Sequence, residues 1–198
     1  IFLIVKTYLI FICKHLVSSL RPWLSEICVC MLMLWMLKFT IIAIKMNWNV
    51  ISMLNTRFFI TPDGVQENHR AFGNCWLVDN IEWVGNAKEE IAAIENVDTV
   101  TAYIDKMWIK DVDNPEQYNN SAEGTIELTE YRNPSNIVYH SSCEAPKMAV
   151  FSEVYYKTWK AYVDGKEVAP VRANYVLRAL PLPAGDHVIE FKCVDELM

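Results

Sequence analysis

Two patterns of hydrophobic positions divide the chain. Residues 27–37 read ICVCMLMLWML, eleven apolar residues in succession, and after Lys38 the run resumes as FTIIAI, so that residues 27–44 hold eighteen positions with one charge. A helix of that length measures about 27 Å at ~1.5 Å per residue, close to the lower limit for crossing a ~30 Å hydrocarbon core. Residues 1–20 form a weaker second run, interrupted by Lys6, Lys14 and His15, and the Arg21-Pro22 step separates the two. The leading expectation is a membrane-associated helix. A cleaved signal peptide is disfavoured because the exit reads AIKMNWN without a small-residue cleavage site. A helix buried in a soluble core and a start that is not native sequence stay open; the chain begins with Ile1 rather than Met, which suits a fragment.

From Trp48 onward the apolar runs are short and punctuated. NVISMLN predicts a short helix or turn, and TRFFIT is a brief apolar run closed by Pro62-Asp63-Gly64, a turn sequence. NCWLVDNIEWV predicts one or two strands. A helix follows, with Asn86 as N-cap and Glu89 completing a capping box. Its expected buried stripe is Ala87, Ile91 and Ile94, with Lys88, Glu89, Glu90 and Glu95 in water. TVTAYI (99–104) predicts a further strand, and the polar stretch 110–124 a linker between domains. Beyond it, short β-rich runs alternate with turns every 8–12 residues, the spacing of a β-sandwich. Asp164-Gly165 is a hairpin signal, because a type I′ turn needs positive φ at both central residues. Trp159, Ala161 and Val163 alternate with Lys160 and Tyr162, which predicts one buried face. The expected fold class is therefore α+β, dominated by a C-terminal antiparallel β-sandwich, behind a hydrophobic, helical N-terminal leader. Three regions result: a leader (1–46), a small α/β region (47–119) and the sandwich (120–195), with Ile126, Leu128, Phe151, Trp159, Ile189 and Phe191 in the sandwich core.

Composition and charge sharpen this division. Of 198 residues, 53% are hydrophobic and 12% aromatic, with only 21% charged, so disorder and disulfide-dense miniature folds are excluded. The first 46 residues carry five bases (Lys6, Lys14, Arg21, Lys38, Lys45) and one acid (Glu26), a net +4; the other 13 bases and 23 acids give −10, completing the −6 of the whole chain. An acidic domain repels phosphate backbones, so no nucleic-acid partner is expected. The basic apolar leader points to a membrane.

The segment FSEVYYKTWKAYVDGKEVAPVRANYVLRALPLPAGDHVIEFK (151–192) resembles the C-terminal extracytoplasmic domain of the YfhO family of bacterial polytopic membrane proteins. NVISMLNTRFFI (49–60) and AFGNCWLVDNIEWV (71–84) resemble the same family's entry into that domain, in the same order, so the resemblance covers about residues 49 to 192. Residues 1–46 do not match what precedes this domain in such proteins. The family looks like C-type glycosyltransferases that use a lipid-linked sugar to decorate a cell-envelope glycan, with catalytic acids in loops of an N-terminal membrane bundle that has no counterpart here. The resemblance thus implies an accessory extracytoplasmic domain at the cell membrane, without cofactor and not catalytic by itself. A membrane-tethered glycan-binding or adhesion module without an enzyme is the alternative.

Few constellations suggest chemistry of their own. Asp111-Val112-Asp113 places two carboxylates where they can share a hard cation, but Glu116 stands where a calcium loop needs glycine, and acids in a solvated connection are common. His140 and its serine neighbours point to opposite faces of a strand, His69 and His187 have no evident partner, and no GxSxG elbow is present. Cys13, Cys28 and Cys30 sit in the leader as small hydrophobes; Cys75, Cys143 and Cys193 are expected as reduced core residues. The candidate ligand-binding residues are Tyr156, Arg172, Asn174 and Arg178. Along NYVLRAL one face carries Tyr175 and Leu177, the other Val176, Arg178 and Leu180. The favoured arrangement turns Tyr175 and Leu177 inward, leaving Arg178 beside Arg172 and Asn174 to contact an anionic or hydroxylated polymer. In the other arrangement Arg178 enters the core and must find a carboxylate or carbonyls.

Overall fold

The computed structural model describes residues 47–133 and 135–194; the expected leader helix lies outside them. Among the described residues no helix is long and apolar enough to cross a membrane. Two compact units are present, one containing Trp48 and residues 56–69, the other residues 49–55 and 70–194.

In the smaller unit, β1 (Phe58–Thr61) and β2 (Gly64–Glu67) form an antiparallel hairpin in which Thr61 pairs with Gly64 across the expected turn. Gly64 has a φ of 123°, a backbone conformation that a side chain would strain. The Thr61 hydroxyl closes the turn by donating to the Gly64 carbonyl at 2.9 Å. Trp48, the first residue of α1 (Trp48–Met53), meets the Phe59 ring edge-on at 5.3 Å.

The larger unit is a β-rich α+β fold. Its strands are β3 (Cys75–Val78), β4 (Asn80–Val84), β5 (Thr101–Asp105), β6 (Gly124–Asn133), β7 (Asn136–Cys143), β8 (Lys147–Val154), β9 (Trp159–Val163), β10 (Lys166–Val168), β11 (Val171–Ala173), β12 (Leu177–Leu182) and β13 (Gly185–Cys193), with α2 (Ala87–Ala93) between β4 and β5. A five-stranded sheet of order β10-β9-β13-β7-β6 faces a four-stranded sheet of order β11-β12-β8-β3. The pairings of both sheets are antiparallel. Between them lies an inner core built on Tyr139, Phe151, Leu180, Leu182, Ile189 and Phe191. Phe151, Ile189 and Phe191 are fully buried there, and Ile126, Leu128 and Trp159 pack against it half-buried.

A second core covers the outer face of the four-stranded sheet. Met148, Val150, Leu177 and Ala179 from that sheet meet Ile81, Ile94, Ala102 and Ile104 from a layer made of α2, the 3-10 turn Ile94–Asn96 that continues it, and the parallel pair β4–β5. The four-stranded sheet is therefore a middle layer, apolar on both sides. This explains why residues 147–151 are five buried positions in succession rather than an alternating pattern.

Three expectations are corrected by this third layer. Residues 70–119 are not separate from the sandwich-like sheets: β3 hydrogen-bonds to β8, pairing Leu77 with Ala149. The stretch 110–124 is no linker, because its two 3-10 turns, Lys106–Asp111 and Pro115–Tyr118, lead to buried Val112 and end on buried Tyr118. In α2 the cap is as expected, with the Asn86 carboxamide oxygen accepting from the Lys88 and Glu89 N–H groups and Glu89 reaching back to Gly85 and Asn86; such caps contribute about 1 kcal/mol. The buried stripe differs, however: Glu90 is inside and Ile91 is exposed. The Asp164-Gly165 turn is as expected, with φ of 49° and 80°.

Candidate functional site

Tyr156, Arg172, Asn174 and Arg178, the residues singled out from the sequence, do not form one surface. Arg178 is 1% exposed. Because both faces of β12 are covered, the choice between Leu177 inward and Leu180 inward does not arise; Leu177 enters the outer core and Leu180 the inner one. Arg178 follows Leu180 inward. Its guanidinium lies 4.4 Å from the Trp159 ring centre and 4.3 Å from that of Phe191, and it is paired with Glu153. Two aromatic faces and a carboxylate make the burial of this charge tolerable. Arg178 is thus a core residue rather than the expected polymer contact.

Arg172 and Asn174 do come together, in a brace between layers. Asn174 and Tyr175 both have positive φ, 49° and 69°, an uncommon conformation for asparagine and a strained one for tyrosine. The turn is held from the outer layer. Buried Glu90 accepts the Tyr175 N–H at 2.8 Å and the Arg172 Nη2 at 2.9 Å. Asn174 pairs with Tyr103 of β5 like a strand residue, donating its N–H to the Tyr103 carbonyl and accepting the Tyr103 N–H on Oδ1. Burial pushes the Glu90 carboxyl up from its ordinary value, against the opposing pull of the Tyr175 N–H and Arg172. Arg172 also covers the Tyr175 ring at 5.4 Å. These contacts turn Asn174, fully buried, and the Arg172 Nη2 into the fold rather than toward a ligand, and enclose the Asn174 Nδ2 and the Arg172 Nε as well. Tyr156, 64% exposed, stands outside this brace beside equally exposed Val154.

An open cleft of about 410 Å³ lies elsewhere on the larger unit. Asp111, Asp113 and Glu167 put three carboxylates around it, and Pro146, Pro181, Pro183 and Val168 supply apolar walls, with Tyr118 and Gln117 between. Its shape is fixed from below. Lys147, 1% exposed, donates to Asp79 Oδ1 and to the Asn120 carbonyl, both at 2.6 Å, and Asn120 donates to the Pro146 carbonyl at 2.8 Å. Asn119 adds a second tie by accepting the Ile81 N–H at 2.7 Å. Gln117 donates to the Asp113 carbonyl, and the left-handed Asn114 (φ 45°) turns the chain into Pro115. Burial raises the Tyr118 phenol, with nearby Asp113 acting in the same direction. Carboxylates accept hydrogen bonds from hydroxyls, and proline and valine surfaces suit the C–H face of a ring. Among the described residues no group of three or more His, Cys, Asp or Glu side chains is arranged to hold a metal ion.

His187 has a partner that the sequence did not reveal. Its Nδ1 lies 2.6 Å from Asp164 Oδ2 and its Nε2 3.0 Å from the Ala184 carbonyl, while Asp164 Oδ1 accepts the Val188 N–H. The pair joins the β9–β10 turn to β13 and lies at the surface. Glu90, Lys147 and Asp164 are thus the structural residues that sequence reasoning missed. Each acts on a partner more than twenty positions away, and no local spacing marks it.

No family model matches the chain, and no curated protein and no solved structure matches it either.

Proposed function

We propose that residues 47–194 form a non-catalytic, glycan-binding extracytoplasmic domain, with a sandwich at its centre, held at the cell membrane by the apolar leader. The observation that carries the binding role is the cleft, where three carboxylates border walls of proline and valine. That lining favours a neutral, hydroxyl-rich glycan over an anionic polymer, because like charge would repel the latter. The resemblance to the YfhO family over residues 49–192 supports the place of such a domain beside a membrane-embedded glycosyltransferase that takes a lipid-linked sugar. In that setting the domain presents acceptor glycan and the chemistry belongs to a longer protein.

The test is glycan-array binding by the full chain in detergent, comparing wild type with Asp113→Asn and Glu167→Gln. Binding to neutral glycans that falls in both variants supports the reading. Binding that is unchanged in both, or absent in wild type, removes the cleft from consideration. Sugar transfer by the purified chain would overturn the non-catalytic part.

A further inference from the structure

The β1–β2 hairpin has one exposed apolar face. Phe58, Ile60 and Val65 are 55%, 60% and 68% exposed. They share a face, because Ile60 pairs directly with Val65 and Phe58 lies two residues along on the same strand. The opposite face is occupied, since Phe59 meets Trp48. Trp48 is itself 49% exposed, and Arg57, whose guanidinium lies 5.8 Å from the Phe58 ring centre, borders the face. Exposed aromatic and aliphatic side chains bordered by arginine are the composition of a surface that rests in the headgroup boundary.

The position in the chain selects the occupant. The apolar run 27–44 ends fourteen residues before Phe58. Six of the intervening residues are in α1, so the connection reaches at most about 35 Å. A leader seated in a bilayer therefore keeps the hairpin near that bilayer. We infer that the Phe58–Ile60–Val65 face of the β1–β2 hairpin lies flat on the membrane, its apolar side chains dipping into the headgroup boundary. Asp63 at the turn opposes entry tip-first and sets the flat orientation, while Glu67, opposite Phe58 at the open end and 3.9 Å from His69, marks where the apolar face stops. This inference rests on the membrane reading of the leader.

The experiment uses the full chain in vesicles of phosphatidylethanolamine with a minority of phosphatidylglycerol, labelled by an apolar photoactivated reagent confined to the bilayer and read by tryptic peptides. Peptide 58–70 carries the whole hairpin face, peptide 15–38 reports the leader, and peptide 148–157 contains exposed Val154 and Tyr156 as a reference. Labelling of 58–70 above the reference is expected. It should fall to the reference level in a Phe58→Ser, Ile60→Ser, Val65→Ser variant and fall in part with Ile60→Ser alone, the circular dichroism being unchanged. Labelled 15–38 with 58–70 at the reference level overturns the hairpin inference and leaves the leader reading standing. No label in either peptide overturns both. Labelling that persists in the triple variant, or a hairpin shielded by cross-linking to a second copy, also overturns the inference.

Discussion

Glu90 shows how one side chain decides the rotation of a helix. Apolar spacing alone puts Ile91 inside, but the buried carboxylate has two donors waiting, and Ile91 is exposed instead. Glu90→Ala should lower stability by about 2–4 kcal/mol, because Arg172 and a strained turn lose their shared acceptor; urea denaturation of the full chain measures this. The pH response has a definite sign. The folded-state carboxyl is raised, so its contribution is full below the ordinary carboxylate range and declines as pH rises through the raised value. Arg172→Ala removes an influence that lowers this value, so stability should decline more steeply as pH rises above the carboxylate range. A pH profile parallel to wild type would contradict that assignment.

A second residue-scale prediction concerns His187 and Asp164. Both imidazole nitrogens face acceptors, an oxygen of Asp164 and a carbonyl, and only the doubly protonated ring donates to both. Hydrogen bonding to Asp164 raises His187, and hydrogen bonding to His187 lowers Asp164. The histidine's contribution is full below its ordinary value and is lost as pH rises through the raised one. The aspartate's is full above its ordinary value and lost as pH falls through the lowered one. The pair is therefore strongest in mildly acidic solution, and His187→Gln should lower the melting temperature more at mildly acidic than at alkaline pH. NMR titration of the ring checks the histidine directly.

At the scale of elements, the middle sheet sets the cost of change. Arg178 between Trp159 and Phe191 occupies volume that a smaller side chain leaves empty. Arg178→Ala should cost about 2–4 kcal/mol and Arg178→Met less, since methionine fills the gap without leaving a charge. Trp159→Ala, at a half-buried position, should cost about 2–3 kcal/mol. Equal losses for Arg178→Ala and Arg178→Met in urea denaturation would mean that packing between the rings is not what holds the arginine. Cys75, Cys143 and Cys193 are free thiols, and burial, with Glu127 nearby, pushes Cys75 up to about 12. Peptide-mapped alkylation at neutral pH should modify Cys75 only after unfolding.

At the scale of the molecule, the strands were largely legible and their neighbours were not. Alternation and turn residues located β9, β10 and the Asp164-Gly165 hairpin, because those signals are local. The third layer escaped notice because β8 and β12 are apolar on both sides, and a doubly buried strand carries no period that names its second partner. The same gap hid the site. Arg172 and Asn174 look like ligand-binding residues in sequence, yet their partners Glu90 and Tyr103 arrive from more than seventy residues away. Asp111 and Asp113 were visible as a pair of acids, but Glu167 and the three prolines that turn them into a cleft come from other elements.

The pairing of Leu77 with Ala149 also governs how the chain is made. Its 72-residue separation means that β3 leaves the ribosome roughly 4–15 s before its neighbour does, at ~5–20 residues per second. During that interval Cys75, Trp76, Leu77 and Val78 form a ready strand with no sheet to join. The outer layer cannot close either, since Met148 and Val150 are still unsynthesised. Assembly of the two cores therefore waits on β8 and, after it, on β12 and β13, which bring Leu177 and Ala179 to the outer core and Leu180, Leu182, Ile189 and Phe191 to the inner one, so the newborn chain stays open to self-association until its last strands emerge.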